Sequence, residues 1–136
     1  MSVRKVSYCY VTVPNRPGEG AKVIGELKKA KVKLVACSGF PTISGSSQLD
    51  LVSENMGTVR RVAKKNGWKL SPTKKGFLIR GDDRMKAIHR QIRKLADEKI
   101  NVTAAEGVCT RKGRFGMMLW VKDKDFGRAT RALKAK

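Results

Sequence analysis

The residues of this chain whose types and spacing bear on chemistry gather at one turn and one strand. Val11-Thr12-Val13-Pro14-Asn15-Arg16-Pro17-Gly18-Glu19 leads from an apolar run into an amphipathic one. A strand-to-helix turn of this kind presents free backbone N–H groups at the positive end of a helix dipole, where a carboxylate is favoured. Pro17 suits the first helical turn, and Gly18 lets a ligand approach the backbone closely. Two readings of Asn15 stand side by side, a helix cap and a ligand contact. Asn101 falls on a predicted strand against its propensity, which singles it out as a second candidate. Asp82 and Asp83 adjoin at a predicted helix start, where capping and dipole effects account for them better than paired-carboxylate catalysis. His89, the one histidine, lies beside an apolar stripe without a positioned Ser, Cys or carboxylate partner, so acid–base work is not indicated. Gly18, Gly20 and Gly25 lack the spacing and acidic residue of a dinucleotide loop. Cys9, Cys37 and Cys109 are odd in number and widely spaced, with no CxxC pair, which supports neither a disulfide framework nor a zinc site. The expectation is therefore no catalytic residues, no metal and no cofactor.

Alternation or continuous apolar runs at residues 6–13, 33–40 and 48–53 predict strands, separated by helical periodicity. Val23, Ile24, Leu27 and Ala30 form one helical stripe, and Met85, Ile88, Ile92 and Leu95 another, each needing a sheet face to cover it. Shifting the sequence by 68 residues places Val11 on Ile79, Asn15 on Asp83, Ile24 on Ile92, Leu27 on Leu95, Val32 on Ile100, Leu34 on Val102 and Leu51 on Leu119. The chain reads as a tandem duplication, repeat one over residues 1–71 and repeat two over 75–136. Each repeat runs strand, helix, strand, strand, helix, with hairpin turns at Ser44-Gly45-Ser46 and Arg111-Lys112-Gly113-Arg114. Repeat one closes with a short strand, Gly67-Trp68-Lys69-Leu70, and Ser71-Pro72-Thr73 serves as a linker. The expected fold class is α+β: two ferredoxin-like βαββαβ repeats, with antiparallel sheets and helices on one face. After the helix carrying Phe126, Ala129 and Leu133, repeat two has no residues for its own last strand. The edge at residues 76–80 then calls for pairing with the neighbouring repeat or a second subunit.

Across 136 residues, 31 Lys and Arg face 11 Asp and Glu, a net charge of +20, and 40% of the residues are hydrophobic. That apolar share supplies a core and argues against wholesale disorder. No run approaches the roughly 18 apolar residues of a membrane span, and Met1-Ser2-Val3-Arg4-Lys5 does not open a signal peptide, so a cytoplasmic protein with reduced thiols is expected.

The turn residues 11–19, with Ile24, Leu27 and the strand Val32-Lys33-Leu34, resemble the opening of an ACT domain, whose pattern is strand, Asp/Asn-Arg-Pro-Gly turn, amphipathic helix and second strand. Lys99-Ile100-Asn101-Val102 is similar to the second-strand signature. The resemblance covers residues 6–133. It implies a non-enzymatic regulatory protein that senses a free amino acid between two such domains, forms a homodimer and reports to a regulated protein partner. It assigns Asn15, Arg16, Pro17 and Gly18 to the ligand turn, and Asn101 with Val102 to the strand of the partner domain. The register equates Asn101 with Lys33 and Asn15 with Asp83, which Arg84 and Met85 follow in place of Pro-Gly. One complete pocket per chain is therefore expected, its counterpart of Asp83 and Lys33 being degenerate.

A reading from another class rests on charge. Residues 1–70 carry +9 and residues 71–136 carry +11, and the Lys and Arg on the predicted helices make a positive surface that attracts nucleic acid without sequence preference. The RNA recognition motif shares the βαββαβ order and displays strand aromatics. Residues 111–120 match it loosely, but Met117 and Leu78 stand where aromatics belong, and residues 48–53 contain none. Burial of both faces of residues 115–121 against a neighbour or subunit explains that strand better.

Overall fold

The computed structural model describes residues 1–82 and 84–136, with Arg84 described by its backbone alone. The chain divides into two compact units, one formed by Ser7–Lys74 and the other by Met1–Val6 with Lys75–Lys136. Both are α+β, built from antiparallel sheet and two helices each.

In the Ser7–Lys74 unit the strands are β1 (Ser2–Pro14, which enters this unit from residue 7), β2 (Leu34–Pro41) and β3 (Ser46–Ser53), and the helices are α1 (Glu19–Lys29) and α2 (Met56–Asn66). The strand order is β2-β3-β1. Cys9 pairs with Leu51 and Val11 with Leu49, so alternate residues of β1 share one face. Cys9, Val11 and Leu51 pack there against Val23 and Leu27 of α1 and Val59 and Val62 of α2. The predicted strand at residues 67–70 reduces to a single bridge, Leu70 to Val11. Beyond it Ser71 is buried, its Oγ accepting from Tyr10 N–H at 2.9 Å, while Arg60 of α2 donates to Ser71 O and Thr73 Oγ1. These bonds pin the segment that the sequence marks as a linker.

In the other unit, residues 2–6 of β1 stand beside β4 (Lys74–Gly81), and the order continues through β6 (Phe115–Val121) to β5 (Val102–Cys109). The helices are α3 (Arg84–Asp97) and α4 (Phe126–Leu133). The edge at residues 76–80 is thus covered by the chain's first residues, and Lys136 exchanges main-chain bonds with Val3 and Lys5 at 3.1 and 3.0 Å. Phe77, Ile79, Leu119 and Leu95 are fully buried among Phe115, Met117, Ala129 and Leu133, and Phe77 stacks on Phe126 at 4.7 Å between ring centres. Met118 and Trp120, on the opposite face of β6, are also buried. The indole of Trp120 lies over Gly76, where an added Cβ would sit 3.2 Å from the ring.

The 68-residue register recurs in backbone geometry. Val32 N–H bonds Leu27 O at 3.0 Å and Ile100 N–H bonds Leu95 O at 2.9 Å, while Lys31 and Lys99 take left-handed φ of 59° and 56°. Both are Schellman closures, which satisfy helix-end carbonyls and set an apolar residue against the last turn. Register shifts fall at Leu34/Ala36 and Val102/Ala104, and Ser44-Gly45 and Lys112-Gly113 turn the two hairpins with positive φ.

Helix faces depart from the expected stripes at three points, Met85, Ile24 and Ala30, the last exposed at the C-cap of α1. Met85 is 77% exposed, whereas Ala87, Gln91 and Leu95, spaced by four, form the buried line of α3. Ile24 lies at the margin of its stripe, 38% exposed.

Candidate functional site

Asn15 follows the last residue of β1 and is fixed from two sides. Its N–H donates to Gly45 O at 2.8 Å, and its Oδ1 accepts from Ser47 Oγ at 3.0 Å. The Asn15 turn is thereby tied to the β2–β3 hairpin, and the amide Nδ2 has no hydrogen-bond partner among the described residues. The capping reading of Asn15 fails here, because the N-cap of α1 is Gly18, at φ 88°, with no side-chain cap bond. Such a φ suits glycine alone without strain. Pro17 precedes that cap and so lies outside the helix rather than in its first turn.

Residues Val13 to Arg16, Glu19 and Gly20 line one side of a surface cavity of about 270 Å³, and Gly39, Phe40, Pro41, Ser47 and Leu49 line the other. Pro17 and Gly18 support this turn without lining the cavity. Arg16 pairs with the Glu19 carboxylate at 3.2 Å, as does Lys22 at 3.3 Å. Glu19 therefore holds a negative charge at the start of α1, where the helix dipole favours one. The sequence reading missed Phe40 and Ser47 because their contribution comes from hairpin pairing; Thr42 N–H to Ser46 O at 2.8 Å sets that hairpin beside the turn.

A larger cavity, about 640 Å³, occupies the corresponding position in the other unit. Arg80, Gly81, Asp82, Val108, Arg114 and Phe115 line it together with Met1 and Ser2. Gly81, Val108 and Phe115 are the 68-residue counterparts of Val13, Phe40 and Ser47. Asp83 lies outside the described residues, as does the side chain of Arg84. Asn101 is exposed and leads into β5, which begins at Val102; Val102 is half-buried and pairs with Val121. Lys33, the counterpart of Asn101, lines a cavity of about 440 Å³ with Ser53, Asn55 and Thr58. The structure thus gathers Asn15 and Arg16 at one cavity within the Ser7–Lys74 unit, and holds Asn101 and Val102 in the other unit.

His89 is exposed on α3. Cys9 is fully buried and Cys37 and Cys109 are exposed, and no disulfide joins them. Burial pushes the Cys9 thiol above its ordinary pKa, assisted by the Asp50 carboxylate and opposed by Arg60. Among the described residues no cluster of three or more His, Cys, Asp or Glu is arranged to hold a metal, and no helix is long and apolar enough to cross a membrane.

No protein-family model matches the sequence, and no curated protein does. Solved structures do resemble the fold. A protein from Bacteroides thetaiotaomicron matches with a TM-score of 0.79 at 14% identity, over 97% of this chain and 88% of that one. The regulatory subunit of aspartate kinase from Thermus thermophilus, in its ligand-free form, matches with a TM-score of 0.66 at 13% identity, over 98% and 95%. The aspartokinase alpha and beta subunits match with a TM-score of 0.64 at 15% identity, over 98% and 95%. At these identities the likeness concerns the fold, which is ACT-like.

Proposed function

We propose that this chain is a non-enzymatic regulatory protein that senses a free amino acid through tandem ACT-like repeats. Asn15, Arg16, Pro17 and Gly18 form the turn that takes the ligand, and Asn101 with Val102 supplies a second set of contacts, one site per chain. The observation that carries the reading is the Asn15 amide. Its oxygen is held by Ser47 at the rim of a cavity, which leaves the Nδ2 donor for a ligand carboxylate; the neighbouring Arg16 guanidinium is paired with Glu19. The cavity volume lies just below the roughly 300–1,000 Å³ of drug-sized sites, on the scale of a small metabolite. The likeness to an aspartate kinase regulatory subunit supports a regulatory role, exercised on a protein partner by a cytoplasmic homodimer.

The mechanism is a population shift. A ligand that binds one arrangement of the protein better than another moves the equilibrium by its differential affinity and by no more. Thermal unfolding against each of the twenty amino acids tests the reading, since a ligand that binds only the folded state raises the melting temperature. One or two amino acids are expected to give a shift that Asn101→Ala removes. A flat profile across all twenty refutes the reading.

A further inference from the structure

We propose that the helical layer of the unit containing Lys75–Lys136 binds the phosphate backbone of a nucleic-acid duplex without reading its sequence. The proposal is independent of the amino-acid site and rests on the run of like charge along α3; Lys64 and Lys65 of α2 also lack a carboxylate partner among the described residues but form only a short cluster at that helix end. On α1, Lys22 and Lys29 are paired with Glu19 and Glu26 at 3.3 and 3.4 Å. On α3 the pattern differs. Lys86, Arg90, Arg93 and Lys94 recur at spacings of four, three and one, which places them on one stripe of the helix. That stripe flanks the buried line of Ala87, Gln91 and Leu95: Lys86, Arg90 and Lys94 each stand one residue, about 100° of helix, before a buried one. Among the described residues only Arg93 of the four has a carboxylate partner, Asp97 at 3.0 Å, in an exposed pair that contributes little.

Like charges four residues apart on a helix repel, and both Lys86 with Arg90 and Arg90 with Lys94 do so here without a carboxylate partner among the described residues. Packed beside α3, α4 adds the exposed Arg131. The positive charge is not spread evenly over the unit, for β5 has no Lys or Arg and β6 has none either.

The stripe fits a stiff polyanion. From Lys86 to Lys94 is eight residues, about 12 Å of helix, and 12 Å of duplex axis carries about seven phosphates. An anionic bilayer is a poorer match, because the apolar face of α3 is turned inward against the sheet and cannot insert beneath the headgroups. With about five phosphates neutralised, the slope of log affinity on log salt is about −4.5, which is a loss of about 500-fold between 50 and 200 mM salt.

The test is fluorescence anisotropy with a labelled random-sequence duplex of 20 base pairs, at several salt concentrations. The variant Lys86→Gln/Arg90→Gln/Lys94→Gln is compared with Lys22→Gln/Lys28→Gln/Lys29→Gln, which removes the same charge from α1. The α3 triple is expected to weaken binding at least tenfold at 50 mM salt and to flatten the slope by about 2.7. The α1 triple is expected to change affinity less than threefold. Arg90→Gln alone should repeat the direction of the α3 effect with an unchanged melting temperature, so that a failure to fold cannot be mistaken for a loss of binding. Equal losses in the two triples, no loss in either, or equally tight binding to phosphatidylserine vesicles would overturn the proposal.

Discussion

Replacing Asn15 by Ala separates a structural role for the turn from a ligand role. The side chain makes one bond within the chain, Oδ1 accepting from Ser47 Oγ at 3.0 Å, and both groups lie near solvent. Losing an exposed bond of this kind costs about 0.5–1 kcal/mol of stability, a fall of a few degrees in melting temperature. Ser47→Ala removes the same bond from its other end and should cost the same. The ligand consequences differ. In Asn15→Ala the Nδ2 donor also disappears, and a hydrogen bond to a charged carboxylate contributes about 1.5–3 kcal/mol, so affinity should fall about 10–150-fold. In Ser47→Ala the amide remains, less well oriented, and affinity should fall no more than about threefold. Isothermal calorimetry with the amino acid that raises the melting temperature measures both. Equal affinity losses in the two variants would refute the reasoning, because the turn would then act only as structure; so would an Asn15→Ala protein that binds like the parent.

Four further outcomes follow from the geometry. Leu27 and Leu95 occupy equivalent buried sites, at 1% and 0% exposure, so Leu27→Ala and Leu95→Ala should each cost about 3–5 kcal/mol in urea unfolding, within about 1 kcal/mol of one another. Lys99 holds a left-handed φ at the end of α3, and Lys99→Gly should stabilise the protein by up to about 1 kcal/mol by the same assay. A thiol reagent should label Cys37 and Cys109 rapidly, and Cys9 only on unfolding. The folded state holds the Cys9 proton to higher pH than the unfolded state does, so its stability contribution is intact below the ordinary thiol pKa of 9.0 and decays as pH rises past it. Chemical denaturation across that range should show a decline in the parent that is shallower in Cys9→Ala.

Much of the fold was legible because its signals are local. Val23 and Leu27, spaced by four, face the core as the periodicity requires, and the 68-residue register that aligns Leu27 with Leu95 also aligns two helix closures and two strand irregularities. What escaped was long-range. Arg4 and Lys5 interrupt the apolar pattern at the start of β1, so nothing in the sequence shows that residues 2–6 extend the strand and cover β4. The edge at residues 76–80 needs no second subunit, a point that only the placement of those first residues reveals, and Met118 and Trp120 are buried within the single chain. Gln91 is polar yet fully buried, and Met85 is apolar yet exposed, because the helix phase is set by Ala87 and Leu95 against the sheet. At the candidate site the Asn15 turn could be read from its own residues, whereas Phe40 and Ser47 reach the cavity through hairpin pairing that no local pattern encodes.

The central claim is a single amino-acid site per chain, and calorimetric titration of the parent protein with each of the twenty amino acids tests it most directly. The account predicts saturable binding of one or two amino acids at one equivalent per chain, with an affinity that changes little between 50 and 200 mM salt. Two equal sites per chain, or no heat of binding from any of the twenty, would contradict it.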